Sequence, residues 1–253
     1  MSSLKPVIVL IHGAFFSPVH YRNLIEPLRA KGYPVVSPPM PSTGLDDTVA
    51  GKTYVDDAKR LLEGLTPFLD EGREAVVVGH SQGGIAASAL TEGQTVEERE
   101  AKGLKGGIKA VIYLTALAIP EKGASLMGLL GGTPPPIYRV EGPFYVLTEY
   151  AMSPESNDMR IPKDEQIAVS KALVHQSKAS LEAPVQFTAV DVTVPKTYIV
   201  CTEDPNLPAS LQESMAQAAG CKIVKVEAGH FPFLESTEKA NEVVDIIVDV
   251  AGQ

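Results

Sequence analysis

Short apolar runs separated by amphipathic helical patterns constrain this chain more than any other feature of its sequence. Residues 6–11 (PVIVLI) are too few for a stable helix and apolar throughout, as a strand buried on both faces requires. A helical pattern follows, with Ser17 placed to cap it, Pro18 at its first position and a stripe of Tyr21, Leu24, Ile25 and Leu28 before Gly32. Residues 33–37 (YPVVS) read as a second strand. The spacing then predicts a helix over 55–69 with Val55, Ala58, Leu62, Leu65 and Leu69 on its apolar face, ended by Gly72. Further strands are predicted at 75–79 (AVVVG), 110–114 (AVIYL), 197–201 (TYIVC) and 222–226, with helices over 82–90, from Pro208 to Gly220, and at the C-terminus on Ala240, Val243, Val244 and Ile247. The alternation implies an α/β fold: a mostly parallel, doubly wound sheet of about six strands, with helices on both faces.

The alternation breaks once. Between about Pro120 and Pro195 lie Gly131-Gly132-Thr133, three prolines and a helical pattern near 165–176, far more chain than an ordinary crossover needs. The expected organisation is therefore one core, residues 1–120 and 195–253, with residues 121–194 inserted as a cap over the sheet's carboxyl edge. The charged stretch 92–105 reads as a solvated loop or a short surface helix.

Composition excludes several function classes. With 22 Lys and Arg against 31 Asp and Glu, the formal charge is −9, which repels phosphate backbones and anionic headgroups; no nucleic-acid or membrane partner is expected. No stretch approaches the ~20 apolar residues of a bilayer span, and the run at 7–11 leads into His12-Gly13 rather than a cleavage site. A cytoplasmic location is the default expectation. The oligomeric state, monomer or homodimer, stays open. Cys201 and Cys221 fall at opposite ends of neighbouring parallel strands, beyond the ~7 Å reach of a disulfide, and neither has metal-ligand spacing.

The chemistry-bearing residues follow the predicted strands. Gly79-His80-Ser81-Gln82-Gly83 lies between AVVVG and a helix, the strand–turn–helix setting in which G-x-S-x-G lifts a nucleophilic serine above a sheet. A bare tight turn is the competing reading. His12-Gly13-Ala14 follows the first strand, where the Ala14 N–H could join that of Gln82 as an oxyanion hole, with Phe15 the second choice of donor. His230 follows the last strand and is the candidate general base; His12 and His80 would brace loops, and His20 and His175 would be structural. Glu203 and Asp204 both follow TYIVC. Asp204 is preferred as the acid that orients His230, ahead of Glu203 and of the more distant Asp46 and Asp191. Candidate pocket residues are Phe15, His80 and Phe231, with the 126–130 stretch, Tyr138 and Phe144 as further apolar wall.

Taken together, HGAFFSP, GHSQGG, TEDPNLP and AGHFPFLE, in that order, resemble the α/β-hydrolase family over about residues 6–250. Within it the chain looks most similar to the small methylesterase and hydroxynitrile lyase branch, which uses no metal or organic cofactor. The resemblance implies Ser81, Asp204 and His230 as catalytic residues and a small-molecule carboxylic ester or lactone as substrate. Lyases of that branch carry Thr after the first-strand His and Lys after the catalytic His. Gly13 and Phe231 stand there instead, which favours ester hydrolysis. The rivals are a lyase, a C–C bond hydrolase or an acyl transferase on the same residues, or a ligand receptor that has kept the scaffold.

Overall fold

The computed structural model describes residues 4–148 and 160–253. Its main sheet has six parallel strands: β1 (Val7–Ile11), β2 (Val35–Val36), β4 (Glu74–His80), β5 (Gly107–Leu114), β9 (Lys196–Cys201) and β10 (Lys222–Val226), in the order β10-β9-β5-β4-β1-β2. Every strand foreseen from an apolar run is present. β2 is two residues long rather than five because Pro34 has no N–H to give a ladder, although its carbonyl still accepts the Ile8 N–H (2.9 Å).

Alternate residues of the central strands pack into two cores. Val7, Val9, Ile11, Ala75 and Val77 join one, and Ile8, Leu10, Val76 and Val78 the other. That is why the runs carry no polar alternation: both faces are covered. Helices α2 (Tyr54–Asp70) and α3 (Gly83–Thr91) cover one face, while α1 (Arg22–Ala30) and the C-terminal helix Thr237–Gly252 cover the other. A 3-10 turn, Pro18–Tyr21, precedes α1.

The chain leaves β1 for β2 at the edge, then returns to place β4 on β1's other side. The direction of winding reverses between β1 and β4. Such a switch point opens a crevice at the strands' carboxyl ends, where ligands bind in open α/β sheets. The HGA loop and Ser81 both emerge there.

Two expectations are corrected. The inward face of α2 carries Tyr54, Asp57, Leu61, Leu65 and Leu69; Ala58 and Leu62 flank it, and Val55 is 58% exposed. The capping box of Thr53 and Asp56 sets the start of the helix, and Asp57 is drawn inward by Ser42, whose N–H and hydroxyl donate to its carboxylate at 2.9 and 2.7 Å. Second, the helical pattern near 165–176 is split. The helix Lys163–Ala172 ends early, and β8 (His175–Ser177) is extended.

β8 belongs to a second, antiparallel sheet that apolar runs gave no sign of. It has the order β3-β8-β7-β6, with β3 (Thr43–Gly44), β6 (Tyr138–Glu141) and β7 (Phe144–Leu147). Three of its strands lie between β5 and β9, and the fourth is recruited from residues 43–44. Of the interval 121–194, residues 149–159 lie outside the described residues. The segment 92–105 contains one short helix, α4 (Val96–Glu100), whose Arg99 is buried and donates to Asp70 (2.8 Å). Cys201 and Cys221 are thiols, separated by the length of β10. No helix among the described residues is long and apolar enough to cross a membrane.

Candidate active site

Ser81 sits on a turn that only small neighbours permit. Its backbone is left-handed (φ +54°), a conformation that costs an L-residue on the order of 1–2 kcal/mol. A Cβ on Gly79 would lie 2.8 Å from the Gly83 carbonyl oxygen, and one on Gly83 would lie 2.7 Å from that of His12. The strained turn therefore closes against β1 only with glycine on both sides. A Cβ on Gly13 would meet the Ser81 Cβ at 3.0 Å and the Oγ at 3.5 Å, so the first-strand loop also approaches the hydroxyl through a glycine.

Three side chains from the ends of three strands meet above the sheet. His230 Nε2 lies 3.0 Å from Ser81 Oγ, and His230 Nδ1 lies 2.6 Å from Asp204 Oδ2. Asp204 is buried, which alone would raise its pKa. The His230 ring, the Thr115 hydroxyl and the Leu207 N–H (2.9 Å) outweigh burial and hold it below the usual carboxylate value. The Asn206 N–H adds a bond at 2.7 Å. Asp204 is thus an ionised acceptor for the Nδ1–H of His230, leaving Nε2 free to take a proton from Ser81.

The other candidate acids are engaged elsewhere. Glu203 is exposed and pairs with Arg160, which also donates to its carbonyl at 2.9 Å. Asp46 caps the turn Asp47–Val49 by accepting the Thr48 N–H. Asp191 accepts from Thr188 and pairs with Lys122 at 3.1 Å.

In the loop after β1 the donors on either side of Ala14 are claimed. The Gly13 N–H donates to Tyr21 Oη (2.8 Å), the Phe15 N–H to Gln176 Oε1 (3.2 Å) and the Phe16 N–H to the Gly13 carbonyl (3.4 Å). The Ala14 N–H between them has no acceptor among the described residues, and neither has the Gln82 N–H at the start of α3. Two free N–H groups beside the Ser81 hydroxyl at a helix N-terminus can receive developing negative charge. Phe15, the second choice of donor, is occupied by Gln176.

His80 does not reach the pocket. It is wholly buried: its Nε2 donates to the His230 carbonyl (2.8 Å), so its Nδ1 must accept, and it does so from Tyr21 Oη (2.6 Å). Burial, the first cause, and the neighbouring His230 lower its pKa to about 3, which keeps it neutral. His12 is similar. It donates from Nδ1 to the Gly13 carbonyl and accepts the Met40 N–H at Nε2, with burial lowering its pKa to about 4. His20 binds the Val169 carbonyl (3.3 Å), and the His175 ring lies 5.7 Å from that of Phe144.

Above Ser81 and His230 opens a cavity of about 730 Å³. Phe15, Phe231, Leu126, Leu129, Leu130 and Tyr138 line it as expected, but Phe144 and Met127 do not. Its wall is mostly aliphatic, from Leu117, Ile119, Leu207 and Met215 on the core side to Ile137, Leu147, Ile161 and Leu173 opposite, with no Lys or Arg among the described lining residues. No group of His, Cys, Asp and Glu able to hold a metal occurs among the described residues.

Sequence reasoning missed two residues at the site. Thr115, directly after β5, is buried with φ +36°, an outlier for a β-branched residue, and its hydroxyl donates to the carboxylate oxygen that His230 uses. Gln176 arrives from β8. Thr115's position after a strand was the one available signal; nothing local marked Gln176.

Comparison with known proteins bears on the fold and the family. The chain is 29% identical over 255 residues to an alpha/beta hydrolase, nvfD, of Aspergillus novofumigatus, covering 99% of this chain and 98% of that one. It is 25% identical over 236 residues to a carbendazim hydrolyzing esterase of a Nocardioides species, covering 88% and 91%. The solved structure of a pyrethroid hydrolase from Sphingobium faniae superposes with a TM-score of 0.76 at 19% identity, over 98% of this chain and 97% of that one. The alpha/beta hydrolase family profile matches residues 8–245, and the chain belongs to that family.

Proposed function

We propose that this protein hydrolyses a carboxylic ester or lactone through an acyl-enzyme formed on Ser81. The observation that carries the reading is the unbroken line Ser81 Oγ, His230, Asp204, at 3.0 and 2.6 Å, facing an apolar cavity. His230 takes the Ser81 proton as Oγ attacks the carbonyl carbon, and the N–H groups of Ala14 and Gln82 receive the oxyanion. Collapse expels the alcohol with the proton from His230. A water then gives a proton to His230 and adds to the acyl carbon, and collapse returns the proton to Ser81 and releases the acid. Asp204 keeps the imidazole in the Nδ1–H tautomer throughout.

An aliphatic wall without a lysine or arginine suits a neutral, hydrophobic small molecule, and a volume of about 730 Å³ lies within the range of small-molecule sites. The carbendazim hydrolyzing esterase supports the ester class. The lyase alternative is disfavoured by Gly13 and Phe231, which stand where lyases of that branch carry Thr and Lys. Residues 121–194 would act as the cap over this site, and no metal or organic cofactor is needed for the steps above.

The test is p-nitrophenyl butyrate hydrolysis by the wild type and Ser81→Ala, with natural-product esters screened next. A loss of at least ~10³-fold in kcat/KM in a folded variant is expected. Equal rates would overturn the assignment, and an aldehyde or ketone product from a cyanohydrin would favour the lyase.

A further inference from the structure

We propose that Val174 and Gln176, from the long segment between β5 and β9, are positioning residues that build the oxyanion hole; the proposal rests on the ester-hydrolase reading above. Phe15, next to the proposed donor Ala14, has a left-handed backbone (φ +65°), which a bulky side chain adopts only when its surroundings over-determine it. Three contacts do so. The Phe15 N–H donates to Gln176 Oε1 (3.2 Å), its carbonyl accepts the Val174 N–H (2.9 Å), and its ring packs against Tyr138 with centroids 4.9 Å apart. All three partners belong to the second sheet or its immediate approach, and none to the six-stranded sheet.

Gln176 is itself immobilised. Its side chain is fully buried, and Nε2 contacts the Ser42 carbonyl (3.0 Å), Ser42 Oγ (3.1 Å) and Ser180 Oγ (2.5 Å). A carbonyl can only accept, so the amide nitrogen must face Ser42 and the amide oxygen must face Phe15. Ser42 is in turn fixed by two bonds to Asp57 on α2. The position of the Phe15 peptide is therefore referred through Gln176 and Ser42 to a helix of the core. On its other side, the Gly13 carbonyl accepts from His12 Nδ1 (3.0 Å) and the Phe16 N–H (3.4 Å), which turns the Ala14 N–H away from them. Released at Phe15, the chain would relax toward an ordinary φ, draw the Phe16 N–H off the Gly13 carbonyl and leave the Gly13–Ala14 peptide, which carries the donor, to turn out of line. The segment above the sheet thus assembles part of the reaction's charge stabilisation as well as enclosing the cavity.

Two variants remove the two backbone bonds separately. Gln176→Met deletes the acceptor of the Phe15 N–H. Val174→Pro deletes the donor to the Phe15 carbonyl at a half-buried position, and the preceding Leu173 already has the extended ψ of 149° that proline requires of its neighbour. Both are assayed in the full chain beside the wild type and Ser81→Ala, with p-nitrophenyl butyrate and an alkyl trifluoromethyl ketone, which adds to a serine and places its oxygen in the hole. Rates are normalised to active sites titrated by the p-nitrophenol burst, so that loss of folded protein does not count. The expected result in each variant is a fall in kcat of about 10–100-fold, with KM within about 3-fold, and a proportional weakening of the ketone. Normalised kcat and ketone affinity within about 3-fold of wild type would overturn the proposal, whatever happens to Tm. Should Gln176→Met fail to fold, Val174→Pro decides alone. A wild type without Ser81-dependent turnover would instead sink the ester reading, and this inference with it.

Discussion

At the scale of single residues, the hydroxyl of Tyr21 has two buried dependents. It accepts the Gly13 N–H and donates to His80 Nδ1, so the loop after β1 and the neighbour of Ser81 share one oxygen. Tyr21→Phe keeps the ring stacked on Phe233 (4.5 Å) but leaves a buried donor and a buried acceptor unpaired. At about 1–3 kcal/mol for each orphaned group, the variant should lose about 2–6 kcal/mol in urea unfolding. A loss under about 0.5 kcal/mol would mean that water replaces the hydroxyl. Residues whose placement depends on chain-local geometry were legible in the sequence: Ser81, Asp204 and His230 each follow the end of a parallel strand within a few residues. Gln176 was not, because its meaning comes from Phe15 and Ser42, more than a hundred residues earlier. His80 was legible as a loop brace but not as a pocket residue, since the elbow turn directs it beneath Ser81 toward Tyr21.

At the scale of elements, α2 separates what a hydrophobic stripe predicts from what a helix buries. The stripe put Val55 inside, whereas Val55 is exposed and Leu61 is wholly buried. Leu61→Ala should cost about 2–5 kcal/mol and Val55→Ala less than about 0.5 kcal/mol, both read from urea midpoints at constant m-value. Comparable costs would restore the stripe. Periodicity erred by one position because two apolar flanks, Ala58 and Leu62, count in a stripe as much as its centre does. A buried carboxylate such as Asp57 counts against the true face. The inner strands β1 and β4 were legible for the opposite reason, being covered on both sides and apolar over residues 7–11 and 75–79. The second sheet has strands of two to four residues, too short for a period, and its β3–β8 pair joins residues far apart in the chain.

For the whole molecule, buried ionisable groups of opposite sign shape stability against pH. Burial, opposed by the Ser42 donors and reinforced by Asp56, raises the Asp57 pKa to about 7. Between an unfolded value near 4 and about 7 the folded chain binds the extra proton, so stability falls as pH rises through that window and levels off above it. The full span is on the order of 4 kcal/mol. His12 and His80 act the other way. Their pKa values, lowered to about 4 and about 3, leave them neutral in the fold while the unfolded chain takes up protons near 6.5, so stability is lost as pH falls below that. Asp57→Asn should therefore gain on the wild type steadily from about pH 4 to about pH 7, with parallel curves above. A pH-independent difference would show that Asp57 stays ionised.

The bond from His80 Nε2 to the His230 carbonyl has a consequence for turnover itself. Acylation would convert the Ser81 hydroxyl to an ester oxygen and dissolve its hydrogen bond to His230, at the stage when the imidazole must next greet a water. The neighbouring link has no proton to lose in that exchange and spans the same two loops. In the proposed reaction it would act as a bookmark: the imidazole's place would be kept while its first partner is away, and deacylation would resume from the same page as acylation.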